Sequence, residues 1–122
     1  MGYTFEPVSG EILNAAVEVH KTLGPGFRET VYEAALCIEL VLRGVPYRRQ
    51  QEVLVRYKDH EVGRHYLDLI IAGEIVVEIK AVTDLSEDHL AQTLSHIKAS
   101  KVAVGLLLNF GRPTLQSRRL VH

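Results

Sequence analysis

The sequence predicts an α/β fold, a mixed β-sheet flanked by helices, and three observations carry that expectation. Apolar residues recur at helical spacing in two stretches near the start and again between residues 86 and 100. Between these stretches lie short runs of valine, isoleucine and leucine, bounded by glycine and polar turns as strands are. The resulting order is helix, helix, strand, strand, strand, helix, strand. The length of 122 residues, 47% of them hydrophobic, suits one compact domain spanning residues 1–122.

Ser9 is a candidate cap for a first helix running to about Leu23, with Ile12, Ala15, Ala16 and Val19 along one side. His20 falls in its last turn, where it favours the helix C-terminus. Gly24-Pro25-Gly26 stops the helix and turns the chain. A second helix is expected from about Arg28 to Arg43. Glu29, Tyr32, Leu36 and Leu40 share one face, and Val31, Ala35, Ile38 and Leu42 share another, which predicts burial on two sides. Glu29 at the helix start suits the helix dipole; it also leads the stripe that points toward the sheet. Tyr32 is expected in the core with its hydroxyl bonded nearby.

Gln51 to Tyr57 alternates as a strand does, and Lys58-Asp59-His60-Glu61 reads as a polar turn. Arg48, Arg49, Arg56, Lys58 and Arg64 give this region a basic bias, either a solvated strand edge or a rim that meets phosphates. The central feature is a hairpin of Tyr66 to Ile71 and Ile75 to Lys80 around Ala72-Gly73-Glu74. A three-residue loop pairs Ile71 with Ile75 and sets Asp68 opposite Glu78; a two-residue loop would send the two carboxylates to opposite faces. Glu78 and Lys80, two apart, share a face. Unpaired buried charges are strongly disfavoured, so these groups must pair, reach water or hold a cation. One reading is a salt bridge of Lys80 to Glu78 or Asp68. The other is a divalent-metal site, because hard carboxylate oxygens bind magnesium or manganese.

Ser86 caps a third predicted helix to about Ser100, with Leu90, Leu94 and Ile97 as its apolar stripe. His89, Gln92 and His96 fall on another side, either an exposed polar face or one turned toward a phosphate or a metal's waters, with Gln92 the candidate for that contact. Val102 to Leu108 reads as a buried strand, Asn109 to Pro113 as a loop, and Gln116 to His122 as a short strand or tail.

Composition narrows the function classes. A net charge of −1 confines any nucleic-acid surface to a local patch. The lone Cys37 allows no internal disulfide and points to a reducing cytoplasm. Met1 to Pro7 lacks the pattern of a secretory signal, and no apolar run is long enough to span a bilayer, so no membrane partner is expected.

Asp68, nine residues, then Glu78-Ile79-Lys80 resembles the signature of the PD-(D/E)XK nuclease superfamily. Gly26-Phe27-Arg28-Glu29-Thr30-Val31-Tyr32 matches the pattern that names the small GxxExxY proteins of bacteria and archaea, which Leu23-Gly24-Pro25-Gly26 and Leu107-Leu108-Asn109-Phe110-Gly111 also resemble. The resemblance runs from the first helix to Gly111. It implies a restriction-endonuclease-like core with Asp68, Glu78 and Glu29 as metal residues, Lys80 as the catalytic lysine, and Mg2+ or Mn2+ as cofactor. Gln92 is similar to the glutamine of a Gln-x-x-x-Tyr motif, with His96 at the tyrosine position. The implied activity is metal-dependent hydrolysis of DNA or RNA, by a domain small enough that a homodimer is a reasonable expectation. The rival expectation is a catalytically silent nucleic-acid-binding or scaffold domain on the same fold.

Overall fold

A computed structural model describes residues 6–122, Glu6 by its backbone alone. The reading of the segment before Glu6 therefore lies outside the described residues. The elements run α1 (Glu6–Leu23), α2 (Glu29–Leu42), β1 (Tyr47–Tyr57), β2 (His60–Ile71), β3 (Ile75–Lys80), α3 (Glu87–Ser100), β4 (Val104–Asn109) and β5 (Gln116–Val121). The strands form one sheet in the order β1-β2-β3-β4-β5. Only the β3–β4 pair is parallel, and α3 is the crossover that a parallel connection requires. The sheet is thus mixed, as expected, with the terminal segment a true fifth strand.

Helices cover both faces. Ile12, Ala15, Ala16 and Val19 of α1 and Tyr32, Leu36 and Leu40 of α2 pack on Leu69, Ile71, Ile75, Val77, Ile79, Val104, Leu106 and Leu108. On the other face Ile97 of α3 meets Leu67 and Val76, with Val53, Ile70, Val102 and Leu120 around them. Gly105 makes that approach close: a Cβ there would lie 2.2 Å from Ile97 Cδ1.

Three expectations are corrected here. Helix α1 begins at Glu6, so Ser9 is buried inside it and caps nothing; its hydroxyl has no hydrogen-bond partner among the described residues. Helix α2 is buried on one side only. Ile38 is 63% and Leu42 74% exposed, because α1 and the sheet together cover a single stripe and, among the described residues, no element lies over the second. His20 does more than meet a helix dipole: it is buried, its ring Nε2 donates to the Arg112 carbonyl at 2.8 Å, and it stacks on Phe110.

The central hairpin has the three-residue loop. Ile71 pairs with Ile75, Ile70 with Val76 and Leu69 with Val77, and there the ladder stops. Ala72 and Gly73 both take positive φ, and Glu74 N–H closes the turn on the Ile71 carbonyl. Beyond Leu69 and Val77 the strands open. Across the sheet from Asp68, Gln50 of β1 adopts φ 52°, an αL break within a strand. Side-chain parity slips at this point: Leu69 and Ile71 face α1 and α2, whereas Leu67 joins Ile70 on the α3 face.

Candidate metal centre

The gap where β2 and β3 part is filled by carboxylates. Asp68 Oδ2 accepts the Ile79 N–H at 2.7 Å, and Glu78 Oε2 accepts the Asp68 N–H at 3.2 Å. Each acid thus takes a backbone amide that a continued ladder would have paired, so the hairpin opens without orphaning those two donors. Around the pair lies a cleft of about 140 Å³, lined by Glu29, His65, Asp68, Glu78, Ile79, Lys80, Gln92, Thr93 and His96. The five residues singled out in the sequence, Glu29, Asp68, Glu78, Lys80 and Gln92, therefore border a single space.

Local structure explains how each arrives. Glu29 opens α2, and the preceding loop is tied down by Tyr32, whose hydroxyl donates to the Gly24 carbonyl and accepts the Phe27 N–H at 3.1 Å. Tyr32 itself stacks on Phe110 at 4.6 Å between ring centroids. The spacing from Gly26 through Glu29 to Tyr32 is therefore a loop, a carboxylate at the cleft and an anchor in the core. Lys80 ends β3, where its carbonyl accepts the Phe110 N–H. Asn109 Oδ1 accepts the N–H groups of Val82 and Gly111, fixing the chain that leaves β3. Gly111 has no alternative there, since a Cβ would lie 2.3 Å from the Val82 carbonyl oxygen. Gln92 and His96 project from α3, whose start is set by a capping box between Ser86 and His89. His89 is thereby used as a cap and does not line the cleft.

Two groups bordering the carboxylates carry no role in the sequence reading. His65 is one. Its Nε2 lies 3.4 Å from Glu78 Oε1, and its ring stacks on His96, whose Nδ1 is 2.7 Å from the same oxygen. Strict strand alternation sets residue 65 opposite residue 68, and the parity slip brings them to one side. Glu33 is the other, a buried carboxylate of α2 that accepts from Arg49 Nε and from the Gln50 amide. It holds Gln50 in its αL turn beside Asp68. A Glu four residues beyond Glu29, one helical turn along the same face, was the available signal.

Electrostatics follow from this crowding. Burial, with Glu78 and Glu33 nearby, pushes the Asp68 carboxyl up to about 7, against the opposing Ile79 amide. Burial, then His65 and Lys80, hold His96 down to about 4, with Asp68 working the other way. His96 is thus neutral at pH 7 and meets Glu78 through a ring N–H. Among the described residues Lys80 makes no ion pair within 4.0 Å, so the simple salt-bridge reading is not what the geometry provides. The donor set fits a divalent cation. Two carboxylates crowd one cleft, Glu78 is only 6% exposed, and proton retention by Asp68 marks a position where a cation would replace a proton.

Two of the five basic residues of the strand edge are paired internally. Arg49 meets Glu33, and Arg64 meets both Glu52 and Glu61.

A family model described as the PD-(D/E)XK nuclease superfamily matches residues 6–120. The chain belongs to the PD-(D/E)XK nuclease superfamily. PD-(D/E)XK nucleases generally use divalent metals and act on nucleic acids, and two carboxylates and a lysine border the cleft of this member. The crystal structure of SSO0001 is similar in fold, with a TM-score of 0.55 at 18% identity; the likeness covers 97% of this PD-(D/E)XK chain and 59% of that protein's. Comparison with curated proteins finds no match. No helix among the described residues of this superfamily member is long and apolar enough to cross a membrane.

Proposed function

We propose that this protein is a divalent-metal-dependent nuclease of the GxxExxY group, hydrolysing phosphodiester bonds of DNA or RNA. The observation that carries the reading is the meeting of Glu29, Asp68, Glu78, Lys80 and Gln92 around one cleft at the opening of a hairpin. Asp68 and Glu78, with Glu29 bound directly or through water, would hold Mg2+ or Mn2+. When bound, such an ion polarises the scissile phosphate and makes a nearby water more acidic. The remaining work belongs to the chain. Lys80 brings a positive charge to the cleft, stabilising the nucleophile or the charge growing on the phosphate. Gln92 offers an amide that orients a phosphate oxygen or a water. The Asp68–Ile79 and Glu78–Asp68 hydrogen bonds pre-set both carboxylates, so little is reorganised when substrate arrives.

Cys37, buried and unpaired, is compatible with the reducing cytoplasm to which we assign the protein. A homodimer would supply the substrate surface that one small domain lacks. The test is cleavage of single- and double-stranded DNA and RNA with Mg2+ or Mn2+, by the wild type and by Asp68→Asn and Lys80→Met. Activity lost in both variants, each still melting in one cooperative transition, supports the reading; unchanged cleavage by either places the chemistry elsewhere. One observation favours the rival, a silent binding or scaffold domain: Arg49 and Arg64 are already occupied by internal acids. It predicts nucleic-acid binding without cleavage under any metal.

A further inference from the structure

The cleft has a nitrogen-bearing end that the proposed hydrolytic set leaves unused. His65 comes from β2, Glu78 from β3 and His96 from α3, and one ligand atom of each lies within 4.8 Å of the others. His65 and His96 meet Glu78 and each other, in contrast to His20, which bonds the Arg112 carbonyl and stacks on Phe110, and His89, which caps α3. Both rings address Glu78 Oε1, while Oε2 of the same carboxylate turns to Asp68. Magnesium takes oxygen donors in a strict octahedron, whereas imidazole suits iron, nickel, copper and zinc, with cobalt between iron and nickel in the affinity series. Donors around an ion with bonds near 2.1 Å stand roughly 3 to 3.5 Å apart; the 3.4 Å between His65 and Glu78 Oε1 falls in that range, and the 2.7 Å between His96 and the same oxygen would open slightly to reach it. The rings are near-parallel, 18° between planes, and splay about their side-chain torsions to aim both nitrogens at one point. Each imidazole that now donates to Oε1 keeps its proton by moving it to the other ring nitrogen.

We propose that His65, His96 and Glu78 Oε1 form a second, nitrogen-containing cation position that takes a borderline transition-metal dication, next to the oxygen-donor position at Asp68 and Glu78 Oε2. Glu78 bridges the two, one oxygen to each. The proposal rests on the reading of the cleft as a metal site, and its test separates the two.

Calorimetric titration with Co2+ and with Mg2+ is made on the wild type, His65→Phe, His96→Phe and Asp68→Asn. Phenylalanine keeps the stacked ring and removes the nitrogens. Wild-type protein is expected to bind Co2+ on the order of 100-fold more tightly than Mg2+. His65→Phe and His96→Phe each lose about 10-fold or more in Co2+ affinity and shift the cobalt visible absorption, while Mg2+ affinity moves less than about 2-fold. Asp68→Asn shows the reverse, Mg2+ weakened and the nitrogen-ligated cobalt band retained. Equal Co2+ affinity and an unchanged band in both phenylalanine variants would overturn the proposal, leaving the imidazoles as hydrogen-bond donors to Glu78. Should those variants fail to fold, the imidazole 15N resonances of the wild type answer the same question: Zn2+ shifts both histidines, or the proposal is wrong. Absence of cleavage with every metal sinks the nuclease reading while these binding results stand.

Discussion

Asp68 governs how this protein responds to pH. Its carboxyl titrates at about 7 in the fold against an ordinary 3.8, so the folded state holds a proton that the unfolded chain releases. Stability from this group is full below about 4 and is lost as pH rises through about 7. His96 runs the other way: held at about 4 against 6.5, it contributes stability above 6.5 that is lost as pH falls toward 4. The two trends oppose each other between 4 and 6.5, and the decline due to Asp68 stands alone above that. Thermal melts of the wild type should fall from pH 6.5 to 8, and Asp68→Asn should remove the fall. A divalent cation should raise the melting temperature more at pH 8 than at pH 5, since it competes with the Asp68 proton.

The individual site residues were unequally legible. Asp68, Glu78 and Lys80 follow from strand alternation plus one loop length. His65 did not, because the parity that sets it opposite Asp68 is reversed by the break at Gln50, and a single φ of 52° leaves no mark in a hydrophobic pattern. His96 was visible at helical spacing, yet only the packing of α3 over the hairpin brings it to Glu78.

Among the elements, α2 carries the heaviest structural duty in its first turn. Tyr32→Phe removes both bonds that hold the Gly24 to Phe27 loop, and should cost about 1–2 kcal/mol in urea denaturation because a part-buried acceptor and donor lose their partner. Gly111→Ala should cost about 3 kcal/mol, at the upper end for overpacking, since the atoms it meets are backbone of Val82. Gly105→Ala should be milder by the same measurement, because Ile97 can rotate away. Helix α3 was the most readable element, its start fixed by Ser86 and its end falling at Ser100, before Lys101 turns left-handed. The start of α1 was not: Ser9 has the chemistry of a cap, but the helix had already begun at Glu6.

Taken as a whole, the molecule is three layers with one unshared face. Ile38, Val41 and Leu42 of α2 stand in water on the side away from the sheet. The pattern of α2 predicted two buried faces, and periodicity alone does not say whether the second is covered by the same chain. Leu42→Ser should leave the denaturation midpoint unchanged within about 0.5 kcal/mol, as for a surface position that packs on nothing. A larger loss, dependent on protein concentration, would identify that face as covered by a second copy.

The interrupted ladder between β2 and β3 has a practical consequence. The amides of Asp68 and Ile79 hang on carboxylate oxygens rather than on carbonyls. Any ion that pulls electron density from those oxygens must weaken both bonds at once. Two backbone resonances therefore act as an internal gauge of loading, readable in a protein that has never met its substrate.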